Sequence, residues 1–144
     1  MIQFKKIHED AILPCRKHKG DAGLDVFALE TFQLRRREQK VVQTGIVLAG
    51  CPDDVGLFVW PKSGLDAEFG ISTGAGVIEP TYRGEILILV RNMSSFAIQI
   101  EKGDAFAQLV PLKLANEDVE EVDSLEETER GADGGIARSI NNED

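Results

Sequence analysis

Histidine and cysteine are scarce in this chain, with two of each in 144 residues. Cys15 and His18 lie close together, but no second close pair accompanies them, which argues against a zinc centre. Two cysteines, Cys15 and Cys51, allow at most one bridge. The start, Met1-Ile2-Gln3-Phe4-Lys5-Lys6, lacks the apolar stretch and small-residue cleavage site of a secretory signal. Two reduced thiols in a cytosolic or nuclear protein, not a secreted one, are therefore the expectation. No apolar run approaches the ~20 residues that a membrane span requires, so no membrane partner is expected. Positive charge is also short: 16 Lys and Arg against 25 Asp and Glu leave a net charge of −9. That balance argues against a general nucleic-acid surface, which carries a basic patch. The clusters Arg16-Lys17-His18-Lys19 and Arg35-Arg36-Arg37 are short and read as solvated turns. Helical periodicity is nearly missing too.

What is present is a series of short β-branched or aromatic runs bounded by turn residues, at 40–48, 56–60, 85–91, 96–100 and 106–110. Short strands at that spacing predict an all-β sandwich or barrel. The length fits one domain able to bury a sufficient core without disulfides or metal. The run at 86–90 is apolar on both faces, which suggests burial against another subunit as well as the domain's own core. One short helix is expected over 63–70, with Ser63 as N-cap and Gly70 as terminator. From Asn116 the composition turns acidic, with Glu117, Asp118, Glu120, Glu121, Asp123, Glu126, Glu127 and Glu129. Such a segment cannot build its own core and reads as an arm or solvated tail. The expected division is a β-barrel core at 1–115 and an acidic C-terminal arm at 116–144.

Four segments stand out from strand and turn filler. They are Ala22-Gly23-Leu24-Asp25, Pro61-Lys62-Ser63-Gly64-Leu65, the glycine-flanked run from Gly74 through Glu85, and Gly103-Asp104-Ala105-Phe106-Ala107-Gln108-Leu109. A fifth is Thr128-Glu129-Arg130-Gly131 with the glycines that follow it. In order, content and spacing, these five resemble the motifs of the trimeric dUTPase family, from Ala22 to Gly135. The resemblance implies a jelly-roll-like distorted β-barrel with one short helix, assembled as a homotrimer with sites at subunit interfaces. It also implies an Mg²⁺-dependent enzyme that converts dUTP to dUMP and pyrophosphate.

Ser63 and Gly64 suit a phosphate cradle of exposed backbone N–H groups, or Ser63 is only an N-cap. Lys62 stands where the family usually has Arg, keeping the charge but losing the bidentate fork. Gly74 and Gly76 suit a tight hairpin whose backbone, at Gly76 and Val77, can hydrogen-bond a uracil edge. Tyr82, the only tyrosine, resembles the residue that packs on the sugar and excludes a 2′-hydroxyl; otherwise it is a core or interface aromatic. Glu79 stands where the family has an Asp acting as general base on the attacking water, and Pro80 holds it extended. Its bland alternative is a solvated Glu. Asp25 and Gln108 match residues that in relatives steady the site and a hydrated Mg²⁺ held mainly by phosphates and water; Asp25 also reads as a turn residue. Arg130 suits the γ-phosphate. The fifth motif departs most, because Gly135 or Ile136 falls where relatives carry an aromatic that stacks on the base. Closure over the substrate should then be weaker.

Two other readings compete. The related dCTP deaminases need a catalytic glutamate on the strand after the third motif, and 87–92 holds no carboxylate. A catalytically impaired nucleotide-binding or protein-interaction module would be consistent with the altered Glu79 and the eroded fifth motif.

Overall fold

The computed structural model describes residues 1–132. In chain order it contains β1 (Gln3–Lys6), β2 (Leu24–Phe27), β3 (Phe32–Leu34), β4 (Gln39–Gly50), β5 (Val55–Pro61), α1 (Ser63–Phe69), β6 (Ile71–Gly74), β7 (Val77–Ile78), β8 (Glu85–Asn92), β9 (Ile98–Ile100) and β10 (Ala105–Lys113). Two four-stranded sheets, ordered β1-β4-β8-β6 and β2-β10-β5-β7, are joined by a two-stranded β3-β9 ribbon. The pairing is antiparallel throughout. The expected all-β, jelly-roll-like architecture with one short helix is what the described residues adopt.

The core follows from strand alternation. Ile86, Ile88 and Val90 of β8 point inward and meet Leu57, Val59 and Leu109 from the other sheet in one cluster. Each such side chain contributes roughly 1.5–3 kcal/mol when fully removed from water. A register shift between Ala105 and Ala107 lets β10 bury Phe106 and Ala107 in succession. Phe106 then meets Phe32 edge-to-face, with ring centroids 5.5 Å apart. Because of that shift, Gln108 emerges on the outer face.

The apolar run expected at 86–90 divides as alternation requires. Its inward residues are buried, whereas Leu87 is 45% exposed on the other face, and Val41, paired with Leu89 on that face, is 59% exposed. A single chain thus leaves an apolar stripe uncovered on the outside of the first sheet. A second irregularity shapes the same sheet. Gly45 adopts φ +67°, and its N–H donates to Glu85 Oε1 at 2.9 Å. Thr44 Oγ1, buried, donates to the Ile86 carbonyl at 2.6 Å. The loops at the far end are gathered by Asn92, which is buried and donates Nδ2 to the carbonyls of Leu34, Arg35 and Phe96.

Two local expectations need correction. Ser63 is the first residue of α1 and not its N-cap; Lys62 holds that position in an extended conformation with no side-chain cap. Gly70 does terminate the helix, at φ +67°, its N–H donating to the Asp66 and Leu65 carbonyls. The glycine-flanked segment is not a simple hairpin. β6 pairs with β8 in the first sheet and β7 with β5 in the second, so the chain turns a corner between sheets at Ala75, φ +48°.

Both cysteines are free, Cys15 exposed and Cys51 half-buried. Among the described residues no helix is long and apolar enough to cross a membrane. After β10, residues 115–132 are exposed. Gly134 and Gly135 of the fifth motif, and Ile136 after them, lie outside the described residues.

Candidate active site

Three adjacent strands set the first half of the site. Gln108 on β10 is paired with Asp25 on β2 to one side and Trp60 on β5 to the other. Residues directly opposite in antiparallel strands share a face, so these three side chains project together from the outside of the second sheet. Lys62, just beyond the end of β5, reaches back to Asp25 and forms an ion pair and short hydrogen bond with it. Both partners are well covered, their side chains 28% and 13% exposed. The ammonium that the sequence offered to a substrate is thus already paired with the carboxylate from the first motif. Gln108 Nε2 donates to the Pro61 carbonyl at 2.9 Å, leaving its Oε1 as acceptor.

Gly23 explains why the first motif has a glycine there. A Cβ at this position would sit 2.0 Å from Gln108 Oε1 and 2.9 Å from its Cδ. Gly64 differs, since no heavy atom lies within 4 Å of where its Cβ would be, and its backbone faces open space. Trp60, Pro61, Ser63, Asp66, Ala67 and Gln108 line a groove of about 580 Å³.

The second half of the site surrounds the corner at Ala75. Gly76 lies so close to β5 that a Cβ would approach the Val59 carbonyl oxygen to 2.9 Å, and its own carbonyl accepts the Val59 N–H. Val77 is exposed. Glu79 opens a turn, its carbonyl accepting the Tyr82 N–H at 3.0 Å with Pro80 in the favoured second position. Arg83 Nη1 locks that turn by donating to the Pro80 and Tyr82 carbonyls. The Glu79 side chain is left exposed. Tyr82 lies over Gly84, where a Cβ would fall 2.3 Å from its hydroxyl oxygen, and donates that hydroxyl to the Glu85 carbonyl. Ala75, Val77, Ile78, Glu79, Tyr82, Glu85, Ile86 and Leu87 line a second cleft of about 200 Å³.

The two clefts share no lining residue. Asp25, Lys62, Ser63, Gly64 and Gln108 are thus brought together, as are Gly76, Val77, Glu79 and Tyr82, but among the described residues of one chain the two groups do not merge into a single cavity. Arg130 lies in the exposed terminal segment. Sequence reading passes over Trp60, although strand alternation from Lys62 and its place beside the second motif point to the same face. It also passes over Glu85, whose carboxylate holds the Gly45 backbone.

Mg²⁺ asks for near-octahedral oxygen ligands and retains several waters, so one or two protein oxygens together with phosphates suffice. Among the described residues no group of three or more His, Cys, Asp and Glu gathers to form a cage. The Asp25 carboxylate and Gln108 Oε1 suit an ion held through water, a looser arrangement than direct ligation.

The chain is similar to known proteins over nearly its whole length. A model of the dUTPase family matches residues 9–139. A deoxyuridine 5′-triphosphate nucleotidohydrolase of Clostridium novyi is 39% identical over 135 residues, covering 92% of this chain and 94% of its own. The mouse protein of the same name is 35% identical, covering 92% of this chain and 82% of its own. Among solved structures, the Staphylococcus bacteriophage 80alpha dUTPase with dUPNHPP superposes with a TM-score of 0.86 at 25% identity, covering 94% of this chain and 96% of that one. A point mutant of the dUTPase from phage phi11 of S. aureus, described as coordinating a structural Mg(II) ion, is 24% identical with a TM-score of 0.81 over 88% of this chain and 99% of that one. By family model, sequence relatives and fold alike, this chain belongs to the dUTPase family.

Proposed function

We propose that the protein hydrolyses dUTP to dUMP and pyrophosphate, at sites completed between the subunits of a homotrimer. Membership of the family supports the reaction. The observation that carries the subunit arrangement is the separation of the two clefts, each holding half of the chemistry. The uncovered apolar stripe at Val41 and Leu87 gives a trimer a face to bury.

In this reading the groove beside Gln108 takes the phosphates, from the Ser63 hydroxyl and the exposed backbone at Gly64. Lys62 and Asp25 fix each other and the end of β5 beneath them. The corner at Gly76 and Val77 of a neighbouring copy offers backbone groups to the uracil edge, and Tyr82 packs on the deoxyribose. Glu79 accepts a proton from water as that water attacks the α-phosphorus. The bond from the α-phosphorus to its bridging oxygen breaks, and pyrophosphate departs. Mg²⁺, when bound through the phosphates and water near Asp25 and Gln108, supplies charge neutralisation for the leaving group. Arg130, on the arm that follows the core, adds charge at the γ-phosphate. The free thiols of Cys15 and Cys51 support a reducing compartment, cytoplasmic or nuclear.

The test is pyrophosphate release from dUTP, dCTP, dTTP and UTP with Mg²⁺, alongside Glu79→Gln. Selective dUTP turnover that the substitution abolishes supports reaction and base together. Binding of dUTP without turnover in the unmodified protein would mean a nucleotide-binding module in place of an enzyme.

A further inference from the structure

We infer that Trp60 contacts the substrate, its indole Nε1–H donating to the phosphate chain; the inference deepens the nucleotide reading above and rests on it. Trp60 is the only tryptophan in the chain. On β5 its neighbour Val59 is buried, yet Trp60 is 48% exposed on the outer face. That face is the one Gln108 and Asp25 occupy, and Trp60 sits directly across from Gln108. The indole lines the same groove as Ser63 and Gln108.

The chemistry of that groove makes a neutral donor valuable. Its lining residues include no cation, and the Lys62 ammonium nearby is held by Asp25. Asp66 contributes a negative charge on the helix side. On the groove's own lining a polyphosphate is therefore met by uncharged donors, with charge supplied by its metal ion and by Arg130 of the arm. Gln108 Nε2 already donates to Pro61. Its second Nε2–H, the Ser63 hydroxyl and the indole N–H are the side-chain donors left among the lining residues, and the indole is a donor only. An aromatic ring is electronegative on its face and electropositive at its edge, so a phosphate selects the edge where the N–H lies. The bulk of the ring also displaces water from one side of the phosphates, which strengthens every hydrogen bond made there.

A single tryptophan makes the test direct. Emission of the wild-type protein is titrated with α,β-imido-dUTP, inorganic pyrophosphate and deoxyuridine in the presence of Mg²⁺, with calorimetry on the same samples. A saturable change is expected with the imido nucleotide and with pyrophosphate, and none with deoxyuridine. Trp60→Phe keeps a ring and removes the donor. It is expected to raise KM for dUTP about tenfold, the size of one hydrogen bond to a charged group, with kcat within about threefold and the melting temperature unchanged. Unmoved emission at calorimetric saturation with the imido nucleotide, or a wild-type KM in Trp60→Phe, overturns the inference while dUTP turnover leaves the functional reading standing. Calorimetry showing no imido-dUTP binding at all overturns both.

Discussion

Gly23→Ala is the substitution whose consequence the geometry fixes most closely. The new methyl would stand 2.0 Å from Gln108 Oε1 and 3.2 Å from its Cβ, against an ordinary contact of about 3.5 Å. Nothing in the backbone resists alanine, since Gly23 is not among the positive-φ glycines. The side chain of Gln108 must yield, and its amide must swing by roughly 1.5 Å. That disrupts the 2.9 Å bond to Pro61 and moves Oε1 away from its place against Gly23. Losing one neutral hydrogen bond costs about 1 kcal/mol, or roughly 2–4 °C in melting temperature. A displacement of ~1 Å in a group that positions substrate or metal can cost about 10²-fold in rate. Steady-state pyrophosphate release should therefore show kcat/KM for dUTP reduced about 30- to 100-fold in a protein that melts within a few degrees of wild type. Wild-type kcat/KM in Gly23→Ala would refute the placement of Gln108 in the working site.

Gly64→Ala makes a useful contrast, because no atom lies near its Cβ position. Thermal melting should show the variant unchanged or slightly stabilised, by up to about 1 kcal/mol for alanine in a helix, while KM rises because the phosphates lose their close approach. Asn92→Ala should destabilise without touching chemistry. It strands carbonyls of Leu34, Arg35 and Phe96 at the end of the barrel, and denaturant unfolding is expected to register about 3 kcal/mol. Burial pushes the Cys51 thiol above its ordinary pKa, so less of it is thiolate at any given pH. Alkylation near pH 8, followed by mass spectrometry, should label the exposed Cys15 first, and faster labelling of Cys51 would contradict its burial.

The strands are legible in the sequence because their periods are short and their ends marked. The runs at 40–48, 56–60 and 85–91 lie within β4, β5 and β8. The Gly70 stop is legible because a left-handed helix end favours glycine. Ser63 misleads because the helix begins one residue earlier than its hydroxyl implies, with Lys62 paired to Asp25, a partner 37 positions away in sequence. At Ala75 the sequence suggests a hairpin where the chain turns a corner, because glycines report a turn but not which strands flank it. Trp60 shares a face with Lys62 by alternation, but its partner on the next strand is not legible in the sequence. Only the register of β5 against β10 puts it opposite Gln108. The motifs name the residues, whereas the sheet order decides which of them meet.

Subunit mixing tests the central claim most directly. Ser63→Asp places a carboxylate where the phosphates should lie, and Glu79→Gln removes the proposed base from the other cleft, so each variant alone should be inactive. If every site joins the Ser63 groove of one chain to the Glu79 cleft of another, random reassembly at equal ratio leaves about one site in four with both halves intact. The account predicts recovery of about a quarter of wild-type dUTP turnover after the two variants are unfolded and refolded together. Turnover no greater than that of the separate variants, from a mixture shown to have exchanged subunits, would contradict it.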